Sequence, residues 1–133
     1  GKDVDVARFC AATRAYCELL RKFGRFAGPS IANVRMCLAK IETAQQSLVH
    51  RITQNKRRSL RSMKGLLKAE RALEPPIHKP GGVLFDPSAA MGLLWVRRGL
   101  HMWAETFEQQ VEVLKERIKA AKKAKNGPEP TQV

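Results

Sequence analysis

The amino-acid sequence predicts an all-α protein with four or more helices. Ala, Leu, Lys, Arg, Glu and Gln, which favour helices, are abundant, whereas aromatic residues make up only 6% of the chain. Apolar residues recur at intervals of three and four, which is the periodicity of an amphipathic helix. Clusters of Pro and Gly separate the periodic stretches and mark the connections between helices.

Four periodic stretches give the order of the predicted helices. The first runs from Val4 to Phe23, the second from Ser30 to about Asn55, and the third opens at Ser59. A connection rich in Pro and Gly follows, and Asp86 is expected to cap the fourth and longest helix. The apolar stripe of this helix contains Leu93, Val96, Leu100, Trp103, Phe107, Val111, Leu114 and Ile118.

The length of 133 residues suits one domain. We expect a single helical domain over residues 1–118, because the apolar periodicity ends there. Residues 119–133 are expected to form a basic flexible tail, since they combine Lys122, Lys123 and Lys125 with Pro128 and Pro130.

Charge indicates the kind of partner. The chain has 25 Lys and Arg against 12 Asp and Glu, a formal net charge of +13. An anionic partner is therefore expected: nucleic acid, an acidic membrane, or a phosphorylated or sulfated molecule. No apolar stretch is long enough to cross a bilayer, so we expect a cytoplasmic protein that works at the membrane periphery.

Residue types that perform chemistry are scattered. Three Cys, an odd number, lack the spacing of a zinc site and are expected to be reduced core residues. The three His are scattered with no pair of acids at a fixed helical spacing beside them, and there is no Gly-rich phosphate loop or nucleophile motif. The sequence therefore predicts a binding protein rather than an enzyme, with no metal and no cofactor.

Two surfaces are candidates for binding. Trp95, Arg98 and Met102 share one helical face, where an indole beside a guanidinium could stack on and hydrogen-bond a sugar or phosphate; the alternative is that Trp95 belongs to the core. No acid occurs between Glu42 and Glu70. That stretch carries a cationic stripe without interleaved aromatics, which favours an acidic membrane or protein over nucleic acid. The stripe consists of Arg57, Arg61, Lys64 and Lys68.

The segment from Leu94 to Leu100, Leu-Trp-Val-Arg-Arg-Gly-Leu, resembles the Trp-hydrophobic-Lys-Arg-Gly-Leu signature of the glycolipid transfer protein family. Other segments agree in order: residues 23–26, the helix through Asn33 and Lys40, and residues 59–63. The resemblance covers nearly the whole chain and corresponds to the N-terminal half of the family's domain. It implies a two-layer helical sandwich that encloses lipid chains and moves lipids between membranes without covalent chemistry.

The resemblance also implies a headgroup site. The family's headgroup helix carries an Asp, an Asn four residues later and a Lys seven residues later, whereas this chain has Asn33, Cys37 and Lys40. Trp95 corresponds to the residue that stacks on the headgroup sugar, and Arg98 lies where phosphate-binding members place cations. Asn33 replaces the family's acid, and Lys40 and Arg98 add positive charge near Trp95. We therefore expect the ligand to be a sphingolipid or glycolipid, with a preference for an anionic headgroup.

From the resemblance we expect the family's second half, with its headgroup His, to have no counterpart in these 133 residues. Three explanations stay open: a truncated domain, a domain completed by a second copy in a homodimer, or a degenerate relative reused as an adaptor. The alternative function is therefore a basic helical scaffold for a protein or acidic partner. Thr131–Val133 would even match the carboxylate-capture motif of PDZ ligands.

Overall fold

A computed structural model describes residues 3–127. The five α-helices are α1 (Val6–Leu20), α2 (Gly28–Val49), α3 (Gln54–Arg57), α4 (Met63–Arg71) and α5 (Ala89–Lys125), with 3-10 segments at Arg21–Phe23, Arg25–Ala27 and Arg58–Arg61. The described part of the chain is 78% helical and contains no strand, so the all-α prediction is confirmed.

The chain divides into two compact units, one ending at Gly99 and the other starting at Leu100. Helix α5 contributes residues to both. In the second unit Trp103 is buried and its ring lies 5.9 Å from that of Phe107, measured between centroids.

Helix α2 is the centre of the first unit. Helices α1 and α4 pack against it, and so does the first part of α5. Its inward face repeats at helical spacing, and burial of each large apolar side chain stabilises the fold by about 1.5–3 kcal/mol. The buried residues of α2 are Ile31, Val34, Cys37, Leu38, Ile41 and Leu48.

Side-chain caps and one long-range backbone hydrogen bond define the starts of α1 and α4. The Asp5 carboxylate accepts the Arg8 N–H and the Ser62 hydroxyl accepts the Gly65 N–H, which is how short polar residues satisfy free amides at a helix start. The Met63 N–H also donates to the Val4 carbonyl at 2.7 Å. The beginning of the chain is thereby fixed to the beginning of α4.

The second and third helices differ from their predicted bounds. Helix α2 ends at Val49, not near Asn55, because the Arg51 N–H bonds to the Leu48 carbonyl in a tight turn and Thr53 is extended. The predicted third helix corresponds to α4, which begins at Met63, not Ser59. The Ser59 hydroxyl donates to the Lys56 carbonyl within a 3-10 segment, and Ser62 acts as the cap.

Helix α5 also differs from expectation. Its N-terminal cap is the Ser88 hydroxyl, which accepts the Met91 N–H, rather than Asp86. It continues to Lys125, through part of the segment that was expected to be a flexible tail, because Ala and Lys are strong helix formers. Val111, Leu114 and Ile118 are exposed, so the apolar stripe is not buried there. The predicted Thr131–Val133 motif lies outside the described residues.

The three cysteines are buried free thiols, as predicted. Burial raises the pKa of Cys10, Cys17 and Cys37 above the ordinary thiol value, because the thiolate would lose its hydration. These thiols are therefore core residues rather than nucleophiles. Over residues 3–127, no group of three or more His, Cys, Asp and Glu could hold a metal ion, and no helix has the length and apolarity to cross a membrane.

Candidate functional site

The closest approach between helices α2 and α5 occurs at two glycines. A Cβ atom at Gly92 would lie 2.7 Å from the Cys37 carbonyl oxygen, and one at Gly99 would lie 3.2 Å from Cγ2 of Val34. The helices are therefore antiparallel here, and only glycine at position 92 permits the approach. The same contact places Lys40 beside Gly92. Gly92 lies three residues, or about one helical turn, before Trp95 in α5.

Trp95 is not a core residue. Its exposed fraction is 44%, and the Arg98 guanidinium carbon lies 4.9 Å from the centre of its ring. This is a cation–π distance, and the two side chains share a face because they are three residues apart in a helix. The indole N–H donates to the Met91 sulfur at 3.1 Å, which fixes the ring. The result is an aromatic wall with a guanidinium against it.

Lys40 forms a salt bridge with Asp86, which the sequence predicted to be a helix cap. Its ammonium donates to Asp86 at 2.8 Å, and this hydrogen bond raises the pKa of Lys40. The Lys40 side chain is largely covered, whereas that of Asp86 is half exposed. The predicted helix cap at Asp86 is thus a salt-bridge partner. No spacing rule could have found it, because the two residues are 46 positions apart.

The other two predicted headgroup residues lie in different environments. Asn33 is exposed on α2, whereas Cys37 is only 1% exposed and packs inside the first unit. Of the five predicted headgroup residues, only Cys37 has a side chain closed to solvent. The others are exposed to different degrees: Asn33, Lys40, Trp95 and Arg98.

The connection between α4 and α5 is anchored by Glu70, which sequence reasoning missed. This buried carboxylate accepts the Ala89 N–H at 2.7 Å and the Ala90 N–H at 3.0 Å, and lies 3.0 Å from His78 Nε2. His78 Nδ1 accepts the Phe85 N–H, so the proton must be on Nε2, which donates to Glu70. Glu70 thus caps α5 and, through His78, holds the loop that carries Asp86.

The family model described as Glycolipid transfer protein (GLTP) matches residues 4–126. This chain belongs to the glycolipid transfer protein family. The match confirms the resemblance and spans nearly the whole chain. Members of the family are lipid transfer proteins, not enzymes. Comparison with curated proteins and with solved structures gave no match.

A cavity of about 260 Å³ adjoins Lys40. It lies between α2 and the loop before α5. Leu48, Leu73, Ile77 and Phe85 give it an apolar lining, and Lys40 is at its edge.

The cationic stripe is a solvent-facing surface. Arg57, Arg61, Lys64 and Lys68 are all exposed. They follow one another through α3, the 3-10 segment and α4, and none of the acids in the described chain lies between positions 43 and 69. All four side chains therefore face solvent.

Proposed function

We propose that this chain binds a sphingolipid or glycolipid and carries it between membranes, with Trp95 and the nearby cations as its headgroup site. The single observation that supports this site is the exposed indole of Trp95 with the Arg98 guanidinium against its ring. An indole normally contributes most to stability when buried, so an exposed and fixed one suits a ligand surface. Membership of a lipid transfer family supplies the class of ligand.

Each residue has a distinct part in the proposed site. Trp95 provides a flat face for a sugar ring, and Arg98 provides several N–H donors for a phosphate or sulfate. Lys40 provides an ammonium, and Asn33 an amide that both donates and accepts. Arg98 and Lys40 stand against the single carboxylate of Asp86, and position 33 carries no acid, so the site favours an anionic headgroup. Cys37 has a packing role in this proposal.

We expect Trp95→Ala to remove lipid binding while lowering the free energy of unfolding by only about 1 kcal/mol, because the ring is already half exposed. Trp103→Ala is the matched control: Trp103 is 5% exposed, and its loss should cost about 3–5 kcal/mol. Arg98→Ala and Lys40→Ala should keep the fold and weaken binding of an anionic lipid about tenfold or more, since each removes a charge-assisted contact. Thermal unfolding and transfer of sulfated and neutral glycosphingolipids between vesicles measure both effects.

The headgroup proposal fails if Arg98→Ala and Lys40→Ala transfer every tested lipid as well as the parent protein. It fails equally if the parent protein transfers none of them.

Asp86→Asn is expected to strengthen binding of an anionic headgroup about two- to fivefold, because it frees the Lys40 ammonium from a competing carboxylate. Binding of a neutral glycolipid should stay the same or weaken. Glu108→Gln removes the same charge at an exposed position and serves as the control. Equal gains in the two variants would show that overall charge, rather than release of Lys40, is responsible.

The second candidate function rests on the cationic stripe. Its exposed Arg57, Arg61, Lys64 and Lys68 would attract an acidic membrane leaflet by about 1 kcal/mol per charge. We propose this stripe as the membrane-facing surface of a protein that is peripheral at cytoplasmic membranes. If lipid binding is absent, the same stripe supports a scaffold for an acidic protein partner instead.

A further inference from the structure

A second and larger cavity, of about 550 Å³, opens between the end of α2 and helix α4. It lies within the first unit. On the α4 side it is bordered by the small residues Ala69 and Ala72, the second just after the end of the helix, and by Gly65, which packs directly against the Ser59 backbone. Ile52 and Leu73 add an apolar part. Leu73 also lines the smaller cavity beside Lys40, but none of these residues is among those proposed to contact the headgroup.

Three cations from separate elements converge on this cavity. Arg51 follows α2, Lys56 lies in α3 and Lys68 lies in α4. None of the three has an ion-pair partner within residues 3–127, and Glu74 is the one acid among the lining residues. Like charges gathered around a concave surface raise the local positive potential and concentrate anions there. The lining therefore carries a surplus of two positive charges.

We propose that this cavity binds a phosphomonoester. A phosphomonoester carries close to two negative charges near neutral pH and three terminal oxygens that accept hydrogen bonds. The fork of Arg51 can contact two oxygens at once, and the ammonium groups of Lys56 and Lys68 can contact the remaining acceptor sites. Ile52 and Leu73 then face the carbon part of the ester. The phosphate could belong to a membrane lipid or to a soluble metabolite, because the recognised group is the same.

The first test uses the full chain and glycerol 3-phosphate, a soluble phosphomonoester, in a calorimetric titration. We expect saturable one-to-one binding that Arg51→Ala, Lys56→Ala and Lys68→Ala each weaken about tenfold. Arg57→Ala and Arg61→Ala are matched controls, because they remove the same charge from exposed positions that do not line the cavity. They should weaken binding less than twofold.

The second test distinguishes the source of the phosphate. Phosphatidic acid carries a phosphomonoester, whereas phosphatidylserine carries a phosphodiester and a carboxylate. Vesicles of each lipid are compared at equal surface charge. Preference for phosphatidic acid that is lost in the Arg51 and Lys56 variants identifies a lipid headgroup. Binding of glycerol 3-phosphate without such a preference identifies a soluble ligand.

Either result supports the phosphomonoester site. No binding of either ligand overturns it, and so does equal weakening by the cavity and control variants. These assays contain no sphingolipid, so their outcome is independent of the lipid transfer proposed for Trp95.

Discussion

Glu70→Ala is expected to lower the free energy of unfolding by about 3–5 kcal/mol. The substitution leaves the Ala89 and Ala90 N–H groups and His78 Nε2–H without their acceptor, in surroundings where Glu70 is 2% exposed. Each buried donor left unsatisfied costs about 1–3 kcal/mol, and loss of a helix cap adds about 1 kcal/mol. Chemical denaturation followed by circular dichroism measures the loss.

Two further variants make this result specific. Glu70→Gln retains one carbonyl acceptor but turns an N–H₂ toward a donor, so we expect an intermediate loss. Glu74→Ala, at an exposed position four residues later, should change stability by less than about 0.5 kcal/mol. A Glu70→Ala protein as stable as Glu74→Ala would refute the anchoring role of this carboxylate.

Gly92→Leu is expected to cost about 3 kcal/mol or more and to abolish lipid binding. Its Cβ would lie 2.7 Å from the Cys37 carbonyl oxygen and 3.0 Å from Cγ1 of Ile41. Overpacking a core usually costs about 1–3 kcal/mol, and a clash with a helix backbone cannot be relieved by turning a side chain. Helices α2 and α5 must therefore separate, which moves Lys40 away from the Trp95 face.

Gly28→Leu is the matched control for the Gly92 variant. Nothing lies within 4 Å of a Cβ at Gly28, the first residue of α2, so stability and lipid binding should be retained. Gly99→Ala should be intermediate, because its Cβ meets only the Val34 side chain at 3.2 Å. A crystal structure of the Gly92 variant with unchanged helix separation would contradict the steric argument.

The helical fold and the shared face of Trp95 and Arg98 could be predicted because both depend on short spacings, whereas spacing left open whether Trp95 is exposed or belongs to the core. Apolar periodicity fixes which residues of α2 face inward, and a separation of three places Arg98 against Trp95 in any regular helix. The same reasoning predicted buried, reduced thiols.

Long-range partners and helix ends could not be predicted in this way. Lys40 meets Asp86 and Glu70 meets Ala89 only because the loop before α5 folds back, and no local pattern encodes that path. Several residues are of a type that suits a helix cap, so the choice among them depends on tertiary contacts. These residues are Ser59, Ser62, Asp86 and Ser88. Cys37 was assigned to the headgroup site from family spacing, whereas its position in α2 turns it inward.

The hydrogen-bonded chain from Phe85 through His78 to Glu70 couples local opening events that would otherwise be independent. The Phe85, Ala89 and Ala90 amides all depend on it, two through Glu70 and one through His78. Release of the loop therefore exposes the first turn of α5, and fraying of that turn loosens the loop. Asp86 lies between these anchors, so the Lys40 salt bridge breaks in the same cooperative fluctuation.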